Sequence, residues 1–151
     1  TNKVRQIVDK VQMIESVDSL PLAEEINKRC AALNKQMPIL IEVNIGREES
    51  KSGVLPEDLP ALLEEISKLP AVSVRGLMAI PPVCENNEQV SQYFYQIQQL
   101  FIDIKQKKYD NINMEILSMG MSGDYQTAIA YGSNVVRIGT AMFGQRNYKR
   151  S

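Results

Sequence analysis

The segment LSMGMSGDYQTAIAYGSNVVRIGTAMFGQR, residues Leu117–Arg146, carries five of the chain's eight glycines: Gly120, Gly123, Gly132, Gly139 and Gly144. Glycine loses more backbone freedom on folding than any other residue and weakens regular elements. A cluster therefore marks tight turns, or a backbone that must come close to something that is not protein. Two short apolar runs frame the glycines, Met114–Leu117 and Val135–Ile138, and both read as strands. Between them Ser122–Tyr131 has a helical pattern, with Ser122 where an N-cap belongs. It stops at Gly132, where a left-handed residue ends a helix. Strand, glycine loop, helix, strand, glycine loop and a short helical tail is the repeat of a parallel α/β protein.

The same alternation extends back to the start of the chain. Val4, Ile7, Val8 and Val11 recur at helical spacing. Met13–Val17 is a strand, Asp18 and Ser19 offer a cap, and Leu20–Leu33 is helical. Ile39–Asn44 is the clearest strand, rich in β-branched residues. A polar loop from Gly46 to Gly53 follows, and Pro56 opens a helix where proline is welcome. Ser73–Met78 is the third strand, and Asn87–Lys107 is a long helix with Val90, Phe94, Ile97, Phe101 and Ile104 on one face. Five strands alternating with helices imply a parallel sheet with right-handed crossovers. Either an open doubly wound sheet or a (β/α) barrel satisfies that order. The dinucleotide fingerprint G-x-G-x-x-G does not follow the first strand. A full barrel has eight strands and typically ~250 residues. Roughly five strands are present, so a barrel reading makes the chain a fragment, and residues 1–151 read as one domain. An opening in mid-helix, without a leader, leads us to expect a C-terminal portion of a longer chain.

Composition narrows the chemistry. Hydrophobic residues are 44% and charged residues 23%, as in ordinary globular proteins, and the net charge of -1 gives no bias towards nucleic acid or an anionic membrane. No apolar run approaches the ~20 residues of a membrane helix. Cys30 and Cys84 lack metal-site spacing, and reduced thiols in a cytoplasmic protein are expected. There is no histidine, which removes the commonest general base and metal ligand.

Parallel α/β proteins bind ligands at the C-terminal ends of their strands. The run Ser118–Asp124 and the pair Gly139-Thr140 both follow strands and lead into helices. Backbone N–H groups there, with the hydroxyls of Ser122 and Thr140, form a favourable setting for an anion such as phosphate. The alternative is that these glycines serve only turns and close packing. Arg137 stands inside the apolar run Val135–Ile138 and shares a strand face with Gly139. A guanidinium there must be paired, either with a ligand or with an internal carboxylate such as Glu42 or Glu115.

Residues 117–146, together with Thr1–Arg5, IESVDSL, IEVNIGREESKSGV and VRGLMAIPP, resemble the pyridoxal phosphate homeostasis proteins. These are small barrels that bind pyridoxal 5'-phosphate (PLP) and are similar to the N-terminal domain of alanine racemase, so the resemblance implies an α/β fold, an incomplete (β/α) TIM-type barrel made of about the last five βα units of eight. The resemblance implies that Ser122, Gly139 and Thr140 hold the PLP phosphate. It also implies that Arg137 faces the pyridine nitrogen and that Met119 and Gly120 belong to the cofactor-binding set. A cation at that nitrogen keeps the ring unprotonated, because adjacent positive charges repel. The ring is then a weaker electron sink, so the resemblance implies a PLP carrier or regulator in vitamin B6 homeostasis without robust catalysis. One departure stands out. The family's Schiff-base lysine lies on the first barrel strand, and no lysine here occupies a predicted strand interior. Lys51 matches a family loop but also reads as a solvated turn. Lys3 belongs to the family's Asn-Lys pair.

Two other readings compete. A racemase-like PLP enzyme needs a placed lysine and a second base. A partial barrel acting as an assembly partner would pair its exposed strand edges with another chain, giving an oligomer.

Overall fold

The computed structural model describes residues 3–144. Thr1 and Asn2 of the opening motif, the polar tail and Lys149 lie outside the described residues. The elements alternate along the chain: α1 (Val4–Ile7), β1 (Ile14–Val17), α2 (Leu20–Ala32), β2 (Met37–Val43), α3 (Leu59–Ile66) and β3 (Val72–Ala79). Then follow α4 (Asn87–Gln106), β4 (Ile112–Met121), α5 (Tyr125–Ala130), β5 (Val135–Arg137) and α6 (Thr140–Phe143).

All five strands are parallel, in the spatial order β1-β2-β3-β4-β5. This order decides between the two architectures that the alternation left open. A doubly wound sheet reverses its direction of growth at a switch point. A sheet that grows in one direction through right-handed crossovers places all its helices on one face. The helix-facing layer holds Ile39, Ile41 and Val43 of β2, Val74, Leu77 and Ala79 of β3, and Leu117 and Met119 of β4. Against them pack Ile26 and Cys30 of α2, Leu59, Leu63 and Ile66 of α3, and Phe94 and Ile97 of α4. Leu40 and Met78 are also buried but stand outside that cluster, as strand alternation requires of residues on the other face.

That other face is concave. The side chain of Ser118 in β4 lies 3.2 Å from that of Glu15 in β1, although β2 and β3 run between them. In a flat sheet those strands would stand about 14 Å apart, three spacings of ~4.8 Å. The sheet is therefore curled as part of a barrel, with its helices outside.

Bulges help the curl. The pairing of β3 with β4 shifts register between Val74 and Gly76, and a Cβ on Gly76 would fall 1.7 Å from the carbonyl oxygen of Ile116. Only glycine admits that approach.

Several boundaries differ from the sequence expectation, and three of the differences are instructive. The third helix begins at Leu59 rather than Pro56: Pro56 lies in the preceding turn, and Pro60 occupies the first helical turn. Strand β4 continues through Ser118, Met119 and Gly120 to Met121, because Leu117, Ser118 and Met119 are all buried and keep pairing. The helix after it begins at Tyr125 with Asp124 as its N-cap, so Ser122 is not the cap. Among the described residues no helix is long and apolar enough to cross a membrane.

Candidate functional site

The last strand is short, and side chains hold it in register. Asn134, just before β5, accepts from the Leu117 N–H through Oδ1 (2.8 Å) and donates from Nδ2 to the Glu115 carbonyl (2.7 Å). The buried hydroxyl of Ser133 lies 2.7 Å from the Met119 carbonyl and 2.9 Å from that of Val135. These two residues perform the work of ladder hydrogen bonds and place Arg137 opposite Met121.

Arg137 projects onto the concave face. Its Nη1 donates to Ser118 Oγ at 2.6 Å, and its Nη2 donates to the Ala79 carbonyl at 3.0 Å. Ser118 is fully buried, and its hydroxyl continues to Glu15 Oε2. Burial lowers the Arg137 pKa, while the charges of Glu15, Glu42 and Asp124 oppose that shift. A guanidinium stays protonated under such conditions. Glu42 shows the converse: burial is the main force raising its pKa, Asp18 adds to it, and Arg137 opposes it. The ion pair considered for Arg137 with Glu115 does not form. Glu115 pairs with Arg75 on the neighbouring strand β3, and Arg137 is held by a hydroxyl and a carbonyl.

Ser122 lies in the turn after β4. Asp124 closes that turn by accepting the Met121 N–H at 2.7 Å. The freed Ser122 hydroxyl accepts from the N–H groups of Gly139 and Ala141, both at 3.2 Å. The two glycine loops therefore meet, as expected, but through a side chain rather than through two helix caps. With its lone pairs engaged by these donors, the Ser122 proton is free to point elsewhere. A Cβ added at Gly123 or at Gly139 would meet nothing within 4 Å, so open space adjoins both glycines. Thr140 is exposed beside Gly139.

Of the six residues expected at the cofactor, Ser122, Arg137, Gly139 and Thr140 gather at the C-terminal ends of β4 and β5. Met119 is fully buried in the helix-facing core. Gly120 backs onto α5, with φ of +96° and room for no Cβ, since Ala128 Cβ stands 2.6 Å from that position. Both sit on the strand that delivers Ser122. Sequence reasoning missed Ser118, Glu15, Ser133 and Asn134. Glu15 had a visible signal, a charge inside the strand run Ile14–Val17; the serines and the asparagine had none. A cleft of about 290 Å³ lined by Pro82, Cys84, Val90, Met121 and Gly123, among others, opens beside β4. Arg137, Ser122 and Gly139 do not line it.

The loop after β2 is built rather than merely solvated. Asn44 is buried, and its side chain donates to the Glu48 carbonyl (2.9 Å) and accepts the Glu48 N–H (3.1 Å). Lys51 on this loop is exposed. None of the described lysines lies in a strand.

Comparison with known proteins agrees with this fold. The chain is 48% identical over 148 residues to the pyridoxal phosphate homeostasis protein of Aquifex aeolicus, covering 98% of this chain and 64% of that protein. It is 42% identical over 149 residues to the protein of the same name in Pseudomonas aeruginosa, covering 98% of this chain and 62% of that one. It thus spans somewhat under two thirds of the length of these curated relatives. The structure of PipY from Synechococcus elongatus PCC7942 with PLP bound superposes with a TM-score of 0.84 at 33% identity, covering 95% of this chain and 66% of that one. D-threonine aldolase from Filomicrobium marinum shares the fold at a TM-score of 0.72 and 14% identity. The family described as alanine racemase, N-terminal domain, matches residues 1–147; this curled parallel sheet, with its arginine and glycine loops at one end, belongs to that family.

Proposed function

We propose that this chain binds pyridoxal 5'-phosphate, as PipY does in its PLP-bound structure, and serves PLP homeostasis, the role that the names of its curated relatives give them, rather than catalysing a reaction of its own. The observation that carries this reading is the pre-held guanidinium of Arg137. Of its five N–H donors, two are committed to Ser118 and Ala79, and three remain for a ligand. The Ser122 proton and the open ground at Gly123 and Gly139 supply a matching place for phosphate oxygens, with Thr140 beside them. The donor set therefore fits an anionic phosphate joined to a ring with an acceptor nitrogen.

When bound, PLP supplies an electrophilic carbonyl and a ring that accepts electron density. Arg137 offers a hydrogen bond to the ring nitrogen and disfavours its protonation, because a second positive charge would stand beside the first. That choice restrains the ring as an electron sink and favours holding over turnover. With no described lysine in a strand, retention rests on hydrogen bonds and charge.

Titrating the chain with PLP, followed by absorbance and ultrafiltration, tests this. Saturable binding displaced by inorganic phosphate, without a borohydride-fixed adduct, is expected. Unchanged affinity in both Ser122→Ala and Arg137→Glu would overturn it.

Oligomerisation is a second reading. Within the described sheet β1 and β5 each have a single neighbour, so each presents unpaired backbone groups that another chain can pair.

A further inference from the structure

Arg137 is the one cation that the site reading uses, yet none of the carboxylates around it touches it directly. We propose that Ser118 and Glu15 are positioning residues that brace the Arg137 guanidinium across the concave face and keep it from collapsing onto the carboxylates. The direction of each hydrogen bond is forced. A guanidinium has donors only, so Ser118 Oγ must accept from Arg137 Nη1, at 2.6 Å. The single hydroxyl proton is then left for Glu15 Oε2, at 3.2 Å. Because Ser118 is fully buried, water cannot substitute for either partner.

The carboxylate draws on the hydroxyl proton and makes the oxygen a better acceptor, as hydrogen bonds in series polarise one another. The Ala79 carbonyl takes the other terminal nitrogen at 3.0 Å. Two anchors on two nitrogens fix the plane of the fork, and with it the aim of the remaining donors. Glu15, Glu42 and Asp124 all attract this cation. Ser118 keeps the Glu15 carboxylate one hydroxyl away, so its charge stabilises the guanidinium without taking up the donors. The brace also joins β1 to β4 and β5, strands that are not neighbours, and so couples the curl of the sheet to the aim of Arg137.

This inference rests on the PLP reading for what Arg137 meets, and on geometry alone for how Arg137 is held. The test uses arginine-labelled chain, ligand-free and with PLP, as wild type, Ser118→Ala, Ser118→Thr, Glu15→Gln and the Ser118→Ala/Glu15→Gln double variant. Two quantities are read: the rotation rate of the Arg137 terminal nitrogens by NMR in the ligand-free protein, and the dissociation constant for PLP. Ser118→Ala should speed that rotation and weaken PLP about tenfold or more, the loss expected for one charge-assisted hydrogen bond. Ser118→Thr should restore both. Glu15→Gln should weaken PLP less, and it should add nothing in the Ser118→Ala background, because the path is already broken. Additive effects with an unchanged rotation rate would overturn the brace and leave Ser118 and Glu15 as packing residues. If Ser118→Ala fails to fold, Ser118→Thr and Glu15→Gln still decide, since a brace demands wild-type rotation in the first and faster rotation in the second. Slow rotation that depends on Ser118 in a wild-type chain that binds no PLP would support the brace while ending the ligand reading.

Discussion

Arg137 is where charge and burial meet. Arg137→Glu reverses the charge facing the expected ring nitrogen and adds a carboxylate near Glu15 and Glu42; PLP affinity should fall by well over the tenfold that about 1.4 kcal/mol represents, measured by titration. Ser122→Ala removes a neutral donor and should cost less, about three- to tenfold by the same measurement. Glu42 gives a pH signature. Its pKa is raised in the fold, chiefly by burial, so the folded state holds its proton more tightly than the unfolded chain does. Below the unfolded value of about 4.3 both states are protonated and no penalty exists. As pH rises above that value the unfolded chain gives up its proton first, and stability falls until the folded group has titrated. Glu42→Gln should therefore melt at a higher temperature than the wild type at neutral pH, and the difference should shrink as pH approaches 4.3. Equal melting temperatures across that range would refute the assignment. At this scale Arg137 was legible because a charge inside an apolar strand is conspicuous. Ser118 was not, since it read as the start of a glycine loop, and only the continued strand β4 and the curl of the sheet bring it to Glu15, 103 residues away.

The elements depend on a few placed side chains. Asn134 replaces two ladder bonds for the three-residue strand β5. Asn134→Ala leaves a buried backbone group unpaired and should destabilise by about 1–3 kcal/mol, with faster amide exchange concentrated at Val135–Arg137 and weaker PLP binding as a consequence. Phe94, fully buried on α4, packs the outer layer; Phe94→Ala should cost about 3–5 kcal/mol in denaturant unfolding. The periodicity of α4 exposed that face to sequence reading, and the helix bounds agree to one residue at its C-terminus. The end of β4 was harder. Met119-Gly120-Met121 reads as a loop because Gly120 breaks the strand pattern, but the strand continues because Gly120 is where Ala128 of α5 packs against the backbone. Pro56 misled for a local reason: it suits a turn as well as a first helical turn, and Pro60 took the helical place.

At the scale of the molecule, five parallel strands form a curled sheet with open edges at β1 and β5 among the described residues. Light scattering across a concentration series should show association if those edges pair, and a charged substitution at the partly exposed Val136 of β5 should then reverse it. A monomer at every concentration would remove that reading. The alternation of strands and helices, the helical faces, the glycine loops and the arginine inside an apolar strand were all properties of the sequence, because they depend on periods of two and 3.6 residues and on local backbone chemistry. The barrel was already expected from the family resemblance, but the strand order and curl that realise it, the pairing of Glu115 with Arg75, and the meeting of Glu15, Ser118 and Arg137 were decided by the tertiary structure. Strand order and sheet curvature bring together residues far apart in the chain, and no local pattern records which of them will touch.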